Sequence, residues 1–319
     1  MRAATLMEPG RIEVVDAPVP HPGAGQLRVK IEGCGVCASN LSPFEGQPWF
    51  TYPFEPGQLG HEGWGVVDAL GEGVEGDLLG KRVSVLSDHA YAEYDVAEAE
   101  KTVVLPEALD GQPFPGEPLG CAMNIFRRSQ IEPDQWVAMV GIGFLGSLLT
   151  QMCTRAGAKV IGINRRNFAL NIAEQMGAVH TICMEDHQQI IDEVAELTGG
   201  LFCERVIEAT GKQWPLDLSA ELTRERGRLI IAGYHQDGPR QVNMQLWNWR
   251  GLDVINAHER ETCVYIEGIR MAAEAVAAGE MTPGPLYTHR FPLEETQTAL
   301  EMARDHPDGF MKALIVFGE

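Results

Sequence analysis

What this chain lacks narrows its roles first. No window offers about 18 consecutive apolar residues, so no membrane-spanning helix is expected. Basic charge is scarce: 25 Lys and Arg stand against 45 Asp and Glu, a formal net charge of −20. So acidic a surface repels phosphate backbones and anionic headgroups, so nucleic acid and membranes are not expected partners. Internal repeats and low-complexity tracts are missing as well. The seven cysteines (Cys34, Cys37, Cys121, Cys153, Cys183, Cys203 and Cys263) are odd in number and scattered, which excludes a disulfide framework. Most read as small buried hydrophobes, with a few left as ligands or nucleophiles. The segment from Met1 to Pro20 has no long apolar run, because Arg11, Glu13 and Asp16 interrupt it. It reads as a strand and not as a signal peptide, and the cytoplasm is the expected compartment.

What is present is a globular composition in 319 residues, with 45% hydrophobic residues and 35 glycines. The pattern changes near residue 122. Before it, short alternating runs such as Leu27 to Glu32, Gly65 to Leu70 and Arg82 to Leu86 are punctuated by Gly and Pro, as in all-β structure. After it, apolar strands alternate with helical stretches, the βαβ pattern of a parallel sheet. Strands are expected from Gln135 to Val140, Lys159 to Ile163, His180 to Met184, Arg205 to Ala209, Arg228 to Ala232 and Leu252 to Asn256. A long helix is expected near Tyr265 to Ala278, followed by an extended, Pro-marked segment and a last strand from Lys312 to Phe317. The expected organisation is an α/β chain in which residues 123–258 form a doubly wound unit inserted into a β-rich domain of residues 1–122 and 259–319.

The strand ending at Val140 runs into Gly141-Ile142-Gly143-Phe144-Leu145-Gly146, and a helix follows. In this Gly-x-Gly-x-x-Gly, Gly141 permits a sharp turn, Gly143 lets a pyrophosphate approach the backbone, and Gly146 lets helix and strand pack closely. The helix expected from Gly146 to Ala156 offers free N–H groups and a positive dipole end at its N-terminus, which puts Phe144 and Leu145 among the expected cofactor-binding residues. Strand, glycines and helix together predict dinucleotide binding. The next strand should end in an acid for the ribose hydroxyls of NAD, but here Asn164 stands there, followed by Arg165 and Arg166. Without a carboxylate to repel it, a 2′-phosphate can pair with guanidinium, so NADP is expected over NAD.

Two early segments offer metal ligands on separate loops: Gly35-Val36-Cys37-Ala38-Ser39-Asn40 and Gly60-His61-Glu62-Gly63. A thiolate and an imidazole with a third ligand and an open position make a catalytic zinc site. Glu117-Pro118-Leu119-Gly120-Cys121 offers a carboxylate and a thiol four residues apart. Cys34 and Cys37 form a C-x-x-C pair, but no second pair completes a four-sulfur site, so Cys37 is the expected ligand and Cys34 a packed residue.

In the order of these motifs, with Glu208-Ala209-Thr210-Gly211 and the strand from Arg228 to Gly233, the chain resembles the medium-chain zinc-dependent alcohol, polyol and sugar dehydrogenases over essentially its whole length. The resemblance implies a GroES-like catalytic domain, a Rossmann cofactor domain with Thr210 and Gly233 beside the cofactor, an active site between the domains, and a homodimer or homotetramer. By motif match, Cys37 and His61 look like zinc ligands, and Glu62 like the acid beside the metal that exchanges with water. Cys121 holds the alcohol dehydrogenase-type third ligand position and Glu117 the polyol-type one; both stay open. Ser39 looks like the hydroxyl that passes on the substrate proton. Zinc would then polarise the substrate oxygen while hydride moves between the carbinol carbon and the nicotinamide.

The departures are as informative. The lobe of four cysteines that binds a structural zinc in many relatives is missing between Ser87 and His89, so one catalytic zinc and no structural zinc is expected. Asn40 stands where relatives usually carry Asp, and is expected to accept the ligand histidine's N–H without bringing charge. Ser42 replaces a frequent relay histidine. The Asn243 to Trp249 stretch suits a polyol or sugar, or equally a core or subunit contact. His89, His180, His187, His235, His289 and His306 read as surface histidines. Two rival functions remain: a zinc-free quinone or enoyl reductase of the same fold, and a non-catalytic NADPH-binding protein.

Overall fold

The computed structural model describes residues 1–318. The chain divides into two compact units, one of Met1–Cys121 with Glu261–Glu319 and one of Ala122–Arg260.

In the first unit, β1 (Arg2–Glu8) and β2 (Arg11–Asp16) form an antiparallel ribbon. The main sheet follows from β3 (Gln26–Gly35), whose alternating QLRVKIE pattern sends Leu27, Val29 and Ile31 into the core. After the single-turn α1 (Leu41–Phe44) come β4 (Gly63–Leu70), β5 (Arg82–Val85), β6 (Tyr94–Glu98) and β7 (Thr102–Val104), then α2 (Gly116–Ser129), whose residues from Ala122 on are counted in the second unit. In α2, Glu117 lies in the first turn and Arg127 and Arg128 in the last, which complements the helix dipole.

The second unit is a parallel sheet. Its elements in chain order are β8 (Trp136–Val140), α3 (Phe144–Arg155), β9 (Lys159–Asn164), α4 (Asn167–Gln175), β10 (His180–Cys183), α5 (His187–Leu197), β11 (Cys203–Glu208), α6 (Gln213–Leu222), β12 (Thr223–Ile231), α7 (Met244–Arg250) and β13 (Asp253–Asn256). The strand order is β10-β9-β8-β11-β12-β13, the doubly wound order with its switch point between β8 and β11. The central strands read as continuous apolar runs because helices cover both faces: Val137 to Val140 and Val160 to Ile163 are buried without a break. Asp186 caps α5 by accepting from the backbone of Gln189.

The chain then supplies α8 (Thr262–Ala277), β14 (His289–Phe291), α9 (Thr296–Asp305) and β15 (Ala313–Val316) to the first unit. Strand β15 pairs antiparallel with the end of β3, giving the sheet order β14-β15-β3-β4-β5-β7, with β6 on the other stretch of β3. One expectation fails here. The Pro-marked segment is not extended throughout, because α9 lies within it and buries Ala299, Leu300 and Ala303 against the β-rich core. The polar and aromatic stretch from Asn243 to Trp249 also holds a helix, α7, which covers Met244–Arg250. Trp247 packs on the parallel-sheet core, while Trp249 is 85% exposed. Among the described residues no helix is long and apolar enough to cross a membrane.

Candidate metal centre and dinucleotide cradle

Strand β3 delivers Cys37 just beyond its end, and Ser39 and Asn40 follow in a single 3-10 turn. The approach to β4 delivers His61 and Glu62. Leu59, two residues ahead of His61, holds a left-handed backbone (φ 88) that an aliphatic residue adopts only under constraint. The constraint is visible: the Leu59 carbonyl accepts from His61 Nδ1 at 2.9 Å and from Asn40 Nδ2 at 2.7 Å. With Nδ1 carrying its proton toward Leu59, Nε2 is the nitrogen left to face the site.

One ligand atom each from Cys37, His61 and Glu62 lies within 4.8 Å of the others. Thiol, imidazole and carboxylate at that spacing are a donor set for a divalent transition metal, zinc foremost. Glu62 is buried and its carboxylate lies against the Lys312 ammonium, so the cation fit rests on the donor chemistry of the Cys37 thiol and the His61 imidazole beside it. Ser39 Oγ lies 3.4 Å from His61 Nε2, at the edge of the same cluster. Burial works against charge on His61, but the Cys37 sulfur and then the Glu117 and Glu62 carboxylates outweigh it and raise its pKa to about 10.

Glu117 and Cys121 project from one face of the first turns of α2, four residues apart. They are not part of the three-atom cluster. Cys121 Sγ lies 3.4 Å from Glu117 Oε1 and 2.8 Å from the Tyr265 hydroxyl, and that hydroxyl donates to the same Oε1.

Two groups near the cluster were not legible in the sequence. Tyr265 is one. The other is Lys312, just ahead of β15, whose ammonium donates to Glu62 Oε1 at 2.7 Å and makes an ionic contact with Oε2 at 2.6 Å. Burial disfavours charge on Lys312, but the Glu62 carboxylate outweighs it and holds the pKa above the usual lysine value. Gly35 makes room for this pair, since a Cβ there would sit 1.8 Å from Glu62 Oε2. Cys34 is fully buried and its thiol is pushed well up by burial, then by the Glu62 charge. The expected bond from the ligand histidine to Asn40 is not formed; Asn40 donates to Leu59 instead, a bond an aspartate could not make.

In the parallel-sheet unit the three glycines act at three distances. Gly141 has φ 103, and a Cβ there would meet Thr210 Cγ2 at 2.5 Å. At Gly146 it would meet the Gly141 carbonyl oxygen at 2.0 Å, so helix and turn can pack only without a side chain. At Gly143 it would meet nothing within 4 Å, so the space beside the helix start is open. The Phe144 ring is buried, so of the two residues opening α3 it offers only its backbone N–H, while Leu145 is half-buried. The Asn164 amide donates to the Ile142 carbonyl at 2.8 Å, tying the end of β9 to the glycine turn, and its Oδ1 accepts from the Arg166 N–H at 3.2 Å. Arg165 is exposed.

At the ends of β11 and β12 the fully buried Glu208 accepts from the Thr210 and Gly211 N–H groups at 2.7 and 2.8 Å, from the Thr210 hydroxyl, and from His235 Nε2 at 3.0 Å. His235 Nδ1 in turn accepts from Arg240 Nε at 2.9 Å. His235 is therefore not a surface histidine. A Cβ at Gly233 would sit 2.2 Å from the Gly211 nitrogen, so Gly233 and Thr210 belong to one tightly packed strand-end cluster.

Comparison with known proteins agrees with this construction. The family profile "Zinc-binding dehydrogenase" matches residues 145–273, and "Alcohol dehydrogenase GroES-like domain" matches residues 23–121, so together they take in most of the chain. The sorbitol dehydrogenase of Halalkalibacterium halodurans is 25% identical over 323 residues, covering 91% of this chain and 92% of the relative. The chain belongs to the medium-chain zinc-dependent dehydrogenase family. It is an oxidoreductase of that family, built from a GroES-like domain and a Rossmann-type parallel sheet. A solved alcohol dehydrogenase (rspB) from Escherichia coli CFT073, complexed with NADH, superposes with a TM-score of 0.87 at 22% identity over 99% of each chain. A solved zinc-binding dehydrogenase from Sinorhizobium meliloti 1021, bound to NADP, superposes with a TM-score of 0.83 at 25% identity, also over 99% of each.

Proposed function

We propose that this dehydrogenase is a zinc enzyme that transfers hydride between NADP(H) and an alcohol or its carbonyl partner, with polyols and sugars the first substrates to try. The observation that carries the reading is the convergence of Cys37, His61 and Glu62 on one point, with His61 Nε2 turned inward by the bond of Nδ1 to Leu59. Bound zinc would polarise the substrate oxygen. Cys37 and His61 would hold the metal, with Glu62 beside it. Ser39, at the edge of the cluster, would take the substrate proton onward.

The cofactor assignment rests on the end of β9. Asn164 brings no charge, its amide is occupied by Ile142, and the Arg165 guanidinium is exposed just beyond. That favours a ribose carrying a 2′-phosphate over one with a free hydroxyl. The sorbitol dehydrogenase relative supports the polyol class.

The decisive variant is Cys37→Ser, with turnover and dinucleotide binding measured separately. Turnover should be lost while NADPH affinity stays within about twofold, because the glycine turn does not use Cys37. Full turnover in Cys37→Ser would contradict the zinc mechanism and favour a zinc-free reductase.

A further inference from the structure

Both Glu117 and Cys121 hold family ligand positions, and the structure contains a third group that treats them as a pair. Tyr265 stands on α8, and α8 approaches α2 closely: a Cβ at Gly120 would meet Ile269 Cγ1 at 2.6 Å, and one at Gly116 would meet Ile269 Cγ2 at 2.9 Å. The two glycines leave α8 near enough for its phenol to reach both side chains. Tyr265 donates its one proton to Glu117 Oε1, and its oxygen lies 2.8 Å from Cys121 Sγ.

The hydrogen-bond inventory then fixes the roles. An ionised carboxylate only accepts, and a neutral phenol has a single proton to give. With that proton on Glu117, the one thiol hydrogen of Cys121 goes to the same Oε1 at 3.4 Å, and the sulfur rests against the phenol oxygen at 2.8 Å. The arrangement therefore uses Cys121 as a thiol donor. Meanwhile Cys37, His61 and Glu62 already converge without it.

We infer that Tyr265 is a positioning residue that sets the metal's ligand set: by engaging Glu117 and Cys121 through one hydroxyl, it keeps the Cys121 thiol off the metal, which receives a single thiolate, from Cys37. This rests on the zinc reading of the cluster.

Cobalt(II) in place of zinc tests it, because thiolate-to-cobalt charge-transfer absorption grows with the number of sulfur ligands. The intact protein loaded with Co2+ should show the same intensity as Cys121→Ser, since Cys121 is not a ligand. Tyr265→Phe should gain about twofold as a second thiolate joins the soft-ligand set. The double variant Tyr265→Phe/Cys121→Ser should return to the starting intensity. A loss of about half the intensity in Cys121→Ser alone would overturn the inference even if Tyr265→Phe failed to fold, and so would an unchanged spectrum in a folded Tyr265→Phe. If the intact protein shows no charge-transfer band at all, the metal reading itself falls and this inference with it. If the band survives Cys37→Ser but not Cys121→Ser, a metal site stands and the role given to Tyr265 is wrong.

Discussion

His61 donates from Nδ1 to the carbonyl oxygen of Leu59 at 2.9 Å, and Leu59 holds a left-handed backbone where that oxygen is presented. The bond fixes the histidine so that its proton-exchanging nitrogen and its metal-binding nitrogen are the same atom, Nε2. In the metal-free protein the pKa is raised to about 10 from the ordinary 6.5. A raised histidine pKa stabilises the folded state fully below the unfolded value and loses that contribution as pH rises through the folded one. The chelated protein should therefore lose thermal stability as pH climbs from about 6.5 toward about 10. Zinc must displace the proton on Nε2, so its stabilising effect should grow over the same window. Melting curves with and without zinc from about pH 6.5 to about pH 9 would check this; a zinc-induced gain that does not change with pH would contradict it.

The dinucleotide cradle separates two kinds of contact. Gly143 has φ −97 and open space beyond it, so Gly143→Ala should fold with a loss of at most about 1 kcal/mol as a helix-start substitution. Its methyl would stand where the pyrophosphate approaches, weakening NADH and NADPH alike by about tenfold or more. Arg165→Ala should weaken NADPH alone, by loss of one charge-assisted bond to the 2′-phosphate. Equal effects of Arg165→Ala on the two dinucleotides would remove the preference for NADP. Titration by nucleotide fluorescence reads both variants.

Lys312 and Glu62 form a buried ion pair, with side chains 6% and 0% exposed. Removing one partner leaves a buried charge uncompensated, which costs about 3–5 kcal/mol. Lys312→Met should be destabilised by that order, and Glu62→Gln in the same background should recover a large part. Denaturant midpoints of the two single variants and the double variant close the cycle. Additivity within about 0.5 kcal/mol would show that the two groups do not depend on each other.

Whatever the sequence made legible was local. The strand from Trp136 to Val140, the glycine turn and α3 are contiguous, so their joint pattern could be read directly. The apolar runs of the parallel sheet were readable because burial on both faces leaves no alternation to misjudge. Cys37 and the His61–Glu62 dipeptide stood out by their glycine-rich settings. Lys312 and Tyr265 did not, because their partners Glu62 and Glu117 are 250 and 148 residues away in the chain, and nothing around either residue marks it. His235 is hidden for a related reason: its loop looks polar, and only the fold brings it to Glu208, 27 residues earlier. Helix α9 was hidden between Pro292 and Pro307, which punctuate a run too short for its apolar period to stand out.

The central claim is that this chain carries one zinc, at Cys37 and His61. Zinc per chain, by elemental mass spectrometry on protein purified without chelator, tests it most directly. The account predicts a value near one for the intact protein and near zero for Cys37→Ser. A value near zero for the intact protein that persists after zinc is offered, or a full zinc complement in Cys37→Ser, would contradict it.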